Sequence, residues 1–503
     1  MVWVGLLMGC MWWGLVGHAA AAGMVTGDED VVAGRYIVLY KAGTAATETA
    51  GEHVRKAGGR VLRWHAAAGM AVAVGDAAFA ARMSRMPEVQ AVLHDRVVRG
   101  KGLVARPIGG VVQERPATLA APVVTGDLYY LETPQEWAVK QVGGYGASVP
   151  GGPAHGPWDV TMGRGVRIAV LDSGVDETHP DIAPNLVFNK SEVDQTAMAS
   201  ACDDGSAADQ QGHGTWVASL AAAAVGPETG ETVGVAPQAS ILNIKVLQRM
   251  PAGTGSVAAQ CEAGEADGLL SWVLEGIADA VEERADVIVL ALGVMVDLQT
   301  GEGAGLKASF DQAAYAAEQA GAVMVAAAGN DGFDYSDVRY VELPAQARGV
   351  LAVVASTNPD CAETKMQTGV CVAGPAALAY YSNYGALLDA VAAPGGSYPE
   401  GTDEGVTGFV RGACSRGLGG TEDGVPGDGA HSLGCFGLGH QAYVQAMGTS
   451  ASAPLAAGVA ALLRAAHPEW DAATVVQRMR ATAVSSPAMN YGIVNATAAL
   501  GMD

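Results

Sequence analysis

With 503 residues, half of them hydrophobic and only 16% charged, the chain has enough apolar material for one large core and a smaller unit beside it. A formal charge of −23 argues against nucleic acid as a partner. The charge is uneven: residues 31–116 carry 13 Lys and Arg against 6 Asp and Glu, while 117–503 carry 16 against 43, so a basic N-terminal piece and an acidic remainder either attract each other or form two unrelated solvated surfaces.

Residues 1–23 are apolar and end in small residues of the Ala-x-Ala type, which reads as a secretory signal peptide, although no Lys or Arg precedes Arg35. No later run is apolar enough to be a convincing membrane span, so the mature protein is expected to be secreted (extracellular or periplasmic), with no membrane partner. Without Cys10, six cysteines remain, a number that fits disulfides in an exported protein. The expected pairs are Cys361 with Cys371, Cys414 with Cys435 and Cys202 with Cys261.

Residues 35–98 read as a small unit. Strands are expected at 36–41, 60–65, 69–74 and 89–94, with helices at 46–57 and 77–86, in the β-α-β-β-α-β order of a ferredoxin-like fold. Residues 99–131 lack periodicity and include Pro107 and Pro116, which marks a linker. From 132 to 503 the pattern changes. Apolar runs at 166–172, 241–247, 286–292, 323–329, 350–356 and 388–394 alternate with helical runs at 214–224, 268–284 and 309–320. Such alternation predicts a doubly wound α/β fold, a mostly parallel sheet covered on both faces, with functional groups beyond the carboxyl ends of its strands. Gly-rich stretches at about 248–267 and 396–440 are insertions on this scaffold.

Polar groups fall at those strand and helix ends. The first strand ends in Asp172-Ser173-Gly174, and Gly212-His213-Gly214-Thr215 opens an Ala-rich helix. The run VMVAAAG ends in Asn330, and Ser450 stands in the first turn of a small-residue helix, with Pro454 placed within that turn. A helix N-terminus offers unpaired N–H groups beside a nucleophilic hydroxyl. Taken singly, each has an ordinary alternative: Ser450 as a helix cap, DSG and HGT as loop chemistry, Asn330 as a turn residue.

Together the motifs VLDSGVDETHPD (170–181), GHGTWVASL (212–220), AAAGNDG (326–332) and GTSASAP (448–454) resemble those of subtilisin-like serine proteases, the subtilase or S8 family, over 132–503, and 35–98 resembles that family's inhibitory prodomain. The resemblance implies a subtilisin-like fold and a secreted serine endopeptidase, made as an autoprocessed zymogen, that acts on polypeptides through an acyl-enzyme. Ser450 is then the nucleophile, His213 the general base and acid, Asp172 its orienting partner, and Asn330 an oxyanion donor; the chain order Asp, His, Ser is that of the subtilisin family. It also implies a specificity pocket walled by Ala291, Leu292 and Gly293 and by Ala326, Ala327, Ala328 and Gly329, mainly apolar, with Asp331, Asp334 and Asp337 as acids that could favour a basic side chain. No cofactor is needed for the chemistry. Asp181 matches a frequent ligand of structural calcium, whereas Gly226 to Gly230 departs from the usual calcium loop. The prodomain is expected to act as intramolecular inhibitor and folding aid.

Two rivals differ in their marks. An α/β-hydrolase esterase needs a GxSxG elbow and the order Ser, Asp, His, which this chain lacks. A non-catalytic binding protein on the same fold would carry a replaced triad position. Aligning Trp137–Gln141 with the family's mature N-terminal segment puts the mature start near Glu132, after Leu131 or Tyr130, which suits an apolar pocket. The basic stretch Arg96 to Arg106 is the competing cleavage site.

Overall fold

The computed structural model describes residues 30–41, 47–100, 104–107, 137–143, 156–226, 232–357, 376–396, 408–417 and 434–502. The signal segment, Glu132 and the Cys361 and Cys371 pair lie outside the described residues.

The N-terminal unit comprises β1 (Val31–Tyr40), α1 (Thr47–Lys56), β2 (Arg60–His65), β3 (Met70–Val74), α2 (Phe79–Met83) and β4 (Val89–Arg99). Its strands lie in the order β2-β3-β1-β4, as the β-α-β-β-α-β pattern predicts. One sheet face packs Tyr36, Val38 and Tyr40 against the two helices, with Phe79 contributed by α2. The other carries Ile37, Leu39, Met70 and Leu93 into the core of the main domain, because alternate residues of a strand point to opposite faces. A short strand, β5 (Val104–Pro107), follows.

The main domain continues with α3 (Trp137–Gln141), β6 (Arg167–Asp172), β7 (Leu186–Ser191), α4 (His213–Ala222), β8 (Ser240–Lys245), β9 (Gln248–Met250), α5 (Val257–Glu262), β10 (Glu265–Leu269), α6 (Leu270–Glu282) and β11 (Val287–Leu290). After these come β12 (Val294–Asp297), α7 (Gly301–Gln319), β13 (Val323–Ala327), β14 (Tyr340–Leu343), β15 (Leu351–Thr357), β16 (Ala377–Leu378) and β17 (Ala390–Pro394). The chain ends through β18 (Val410–Ala413), β19 (Tyr443–Met447), α8 (Thr449–Ala466), α9 (Ala472–Ala481), β20 (Val484–Ser486), β21 (Met489–Ile493) and α10 (Ala496–Ala499). The large sheet runs β20-β21-β17-β15-β13-β11-β6-β8-β7. All six apolar runs read from the sequence form parallel strands in it.

Helix α8 is buried from Thr449 to Leu463, which is why its sequence is almost wholly small and apolar. Pro454 falls in the second turn, not the first as expected. Lacking an N–H, it leaves the carbonyl of Ser450 without its helical donor.

The two units share a sheet. β4 pairs antiparallel with β10, Val97 opposite Leu269 and Arg99 opposite Asp267, and β10 pairs with β9. Basic residues of the N-terminal unit meet acids of the main domain: Arg35 reaches Asp194 at 3.0 Å and Arg63 reaches Glu192 at 3.3 Å. Arg96 pairs with Glu302. Of the two charge readings left open by composition, the attractive one describes this contact.

Two expected disulfides are present, Cys202 with Cys261 and Cys414 with Cys435. The first ties the 248–267 insertion to the segment between β7 and α4, and the second closes a loop within the 396–440 insertion. Among the described residues no helix is long and apolar enough to cross a membrane.

Candidate active site

Asp172 is the last residue of β6 and His213 the first of α4. A Cβ on Gly214 would collide with the carbonyl oxygen of Gly174, so glycine lets the helix start press against the turn after Asp172. His213 Nδ1 then lies 2.7 Å from Asp172 Oδ1. With a carboxylate as acceptor, Nδ1 carries the proton and Nε2 presents its lone pair. Asp172 is 1% exposed, and Oδ2 has no hydrogen-bond donor among the described residues. Its charge is therefore best compensated when the imidazole becomes imidazolium.

A second carboxylate, not anticipated from the sequence, fixes this turn. Fully buried Asp209 accepts through Oδ1 from the Ser173 hydroxyl and the Gln211 and Gly212 amides, and through Oδ2 from the amide and hydroxyl of Thr215. It therefore supplies donors' partners to the N-terminus of α4, where Gly212 has no side chain to do so. Burial, the larger influence, raises the Asp209 pKa against these donors. For His213, burial is the largest single effect and favours the neutral ring. The Asp172 charge and hydrogen bond, with the Asp209 charge, outweigh it and hold the pKa above its ordinary value.

Ser450 is the second residue of α8, where its own N–H has no helical acceptor. Its hydroxyl donates to the carbonyl of Ala291 at 3.0 Å, so rotation about its side-chain bond must bring it to His213 before proton transfer. Asn330 is oriented by its neighbour: Oδ1 accepts from both the amide and the hydroxyl of Thr449 at 2.8 Å. That leaves the Asn330 Nδ2 as the donating end.

A cavity of about 200 Å³ brings His213, Ala291, Leu292 and Phe436 together with Gly100 and Ala266. Phe436 arrives from the second insertion. Its ring meets His213 edge-on, with centroids 6.4 Å apart, and its amide donates to the Gln211 carbonyl at 2.5 Å. Buried Arg249 joins the two insertions, donating to the carbonyls of Cys261 at 2.5 Å, Glu262 at 3.0 Å and Phe436.

Of the expected pocket walls, Ala291 to Gly293 and Ala326 to Gly329 are all buried. Of the acids considered for a basic preference, Asp334 and Asp337 are exposed and engaged in local turns with Ser336 and Arg339. Asp331 meets Asn383 at 3.3 Å. The acid that does reach the wall is Glu342, fully buried against Gly293. Nothing local in the sequence marks it, since its place depends on the pairing of β12 with β14.

Asp181 is fully buried, and its Oδ2 accepts from the Tyr443 hydroxyl at 3.0 Å and the Thr232 amide at 3.3 Å. An oxygen serving two donors supplies little of the shell of roughly 6–8 oxygens that calcium takes. Residues 227–231 lie outside the described residues.

A model of the subtilase family matches residues 163–497. Thermitase of Thermoactinomyces vulgaris is 32% identical over 249 residues, 49% of this chain and 70% of thermitase. The major intracellular serine protease of Bacillus subtilis is 32% identical over 196 residues, 38% of this chain and 51% of that protein. Subtilisin NAT of Bacillus subtilis subsp. natto is 32% identical over 340 residues, 67% of this chain and 66% of that protein. The chain thus spans about half the length of several relatives it matches. A solved structure of proteases from Pseudoalteromonas arctica PAMC 21717 superposes with a TM-score of 0.53 at 26% identity, covering 75% of this chain and 99% of that one. Fervidolysin from Fervidobacterium pennivorans shares the fold, with a TM-score of 0.61 at 21% identity over 96% of this chain and 64% of its own. Since the family model covers more than half of the chain and the expected sequence motifs lie within it, the chain belongs to the subtilase family of serine-type endopeptidases.

Proposed function

We propose that this subtilase is a secreted endopeptidase made as a zymogen that cuts itself, with residues 35–98 as its inhibitory prodomain. The observation that carries the reading is the Asp172–His213 hydrogen bond together with Ser450 at the start of α8, whose hydroxyl meets the carbonyl of Ala291, a residue lining one cavity with His213, and with Asn330 held by Thr449. The Ser450 hydroxyl proton passes to His213 Nε2 as Oγ bonds to the scissile carbonyl carbon. The negative oxygen formed is stabilised by Asn330 Nδ2 and the Ser450 N–H. Collapse breaks the C–N bond, and His213 returns the proton to the departing amine. Water, deprotonated by the same imidazole, then frees the enzyme from the acyl group.

Autoprocessing is supported by the strands on either side of this site. Val97 to Arg99 pair with β10, and the Gly100 amide donates to Ala266 at 2.5 Å. Val104 to Pro107 pair with β19, which ends at Met447, three residues before Ser450. The bonds between Gly100 and Val104 are therefore the best candidates for the maturation cut. This favours the basic stretch over the expected start near Glu132.

Fluorophosphonate labelling and N-terminal sequencing test the reading. The wild-type chain should label at Ser450 and mature, whereas Ser450→Ala and His213→Ala should do neither, and Asn330→Ala should lose about 10²–10³ in turnover. Absence of labelling in the wild type would favour a non-catalytic binding protein. Because the Asp181 oxygen already serves two donors, chelation of calcium should leave the thermal midpoint unchanged, and a lowered midpoint would restore the structural ion that the family likeness suggests.

A further inference from the structure

We propose that His65 of the N-terminal unit, with Asp279 and Glu282 of the main domain, forms a binding site for a zinc ion that clamps the two units together. The site stands apart from the Ser450 chemistry; only its consequence for inhibition rests on the zymogen reading above.

His65 closes β2, opposite Met70 of β3, and is 3% exposed. Neither of its ring nitrogens has a hydrogen-bond partner among the described residues. Glu275 Oε1 lies 3.8 Å from Nε2, which is beyond hydrogen-bond reach. A buried imidazole in that state has given up the hydration of an N–H and of a lone pair with no return. A metal ion takes the lone pair and repairs the loss at that nitrogen.

Asp279 and Glu282 stand three residues apart at the end of α6, so they share one face of the helix. One ligand atom from each of them and one from His65 lie within 4.8 Å of one another. Zinc holds nitrogen and oxygen ligands at about 2.0–2.2 Å, so the three must draw together slightly, and water completes a four-coordinate shell. Glu282 is exposed at the helix end. Its side chain can make that movement, and its exposure gives the ion a way in.

Charge favours the same occupant. Four carboxylates, those of Glu192, Glu275, Asp279 and Glu282, gather at this junction and meet two cations. Lys190 pairs with Asp279 and, at 2.9 Å, with Glu192. Arg63 lies 3.3 Å from Glu192 and 3.9 Å from both Glu275 and Asp279. Among these groups two negative charges are left over, which is what one divalent ion neutralises. The shortage of positive charge already shows at Glu192, whose pKa is pushed up to about 8 by burial first and by Asp279 next. Calcium and magnesium take shells of oxygen, whereas an imidazole nitrogen beside carboxylates suits zinc. Because the ligands come from both units, the ion holds the N-terminal unit in place and is lost when that unit departs.

The test uses the full-length Ser450→Ala chain, which cannot cut itself, with zinc chloride as the only added ligand. Equilibrium dialysis should find a bound zinc ion, and zinc should raise the thermal midpoint. Glu282→Gln and His65→Ala should each weaken that binding by at least the roughly tenfold that loss of a mere supporting partner costs a metal site. In the matured enzyme, which has shed His65, the ion should be absent. Failure of the parent chain to hold zinc overturns the proposal, as does unchanged binding in Glu282→Gln, an exposed change that decides the matter even if His65→Ala does not fold. Failure of the endopeptidase reading looks different: the wild type neither labels at Ser450 nor matures, while zinc binding by the full chain is untouched.

Discussion

The proton affinity of His213 is set by opposed effects of comparable weight. Burial disfavours the imidazolium most, but Asp172 and then Asp209 hold the pKa above its ordinary value of 6.5. In the proposed mechanism only the neutral ring accepts the Ser450 proton, so kcat/KM should rise with pH as His213 loses its charge, with a midpoint above 6.5. Asp209→Asn keeps the shape of the side chain and one carbonyl oxygen while removing the charge. Its acid limb should therefore move to lower pH than that of the wild type, with a reduced maximum rate because some donors at the α4 terminus lose their acceptor. A limb that stays in place, measured on one peptide over the full pH range, would leave Asp209 with a purely structural part. Asp172, His213, Asn330 and Ser450 are singled out in the sequence by the element ends they occupy, and their proposed roles come from the resemblance of the surrounding motifs to the subtilase family. Asp209 left a weaker trace, an acid four residues before the histidine that opens a helix, of the kind that marks helix starts.

Whole elements explain how the N-terminal unit grips its partner. Leu269, at the N-cap of α6, has no side-chain hydrogen bond to the helix. The fully buried Asp95 of β4 supplies it instead, accepting from the Ser271 amide at 2.9 Å and the Ser271 hydroxyl at 2.6 Å, while Arg35 pairs with it at 2.7 Å. A carboxylate at a helix N-terminus also meets the positive end of the helix dipole. Asp95→Ala removes the cap and one of the partners of a buried guanidinium. In a Ser450→Ala precursor it should therefore cost about 3–5 kcal/mol of stability in urea denaturation, against about 1 kcal/mol for an ordinary exposed cap. A loss below about 1 kcal/mol would show that the contact holds without it. No sequence pattern announces such a cap, because donor and acceptor are 176 residues apart. The same holds for Phe436 and Glu342: the apolar runs that predict strands say nothing of which insertion returns to His213, or which acid a strand pairing brings to Gly293.

At the scale of the molecule, the N-terminal unit continues a sheet of the main domain and buries Leu93 and Leu306 in one shared core. Its charge is as complementary as its shape, since residues 31–116 carry 13 basic against 6 acidic groups and the rest of the chain beyond them 16 against 43. Several ion pairs between them are partly open to solvent; the Arg63 side chain is 42% exposed where it faces Glu192, Glu275 and Asp279. Salt screens such pairs over a length of about 10 Å at 0.1 M, but leaves the apolar contact intact or strengthened. Inhibition of the matured enzyme by an added chain of residues 31–100 should consequently weaken as sodium chloride rises from about 0.05 to 0.5 M, by roughly tenfold, chiefly through slower association. Arg63→Ala should flatten that dependence, because it removes the cation that three acids share. Should inhibition be insensitive to salt, or tighten with it, the apolar face of β1, β3 and β4 would account for the grip and the opposed charges would serve solubility alone.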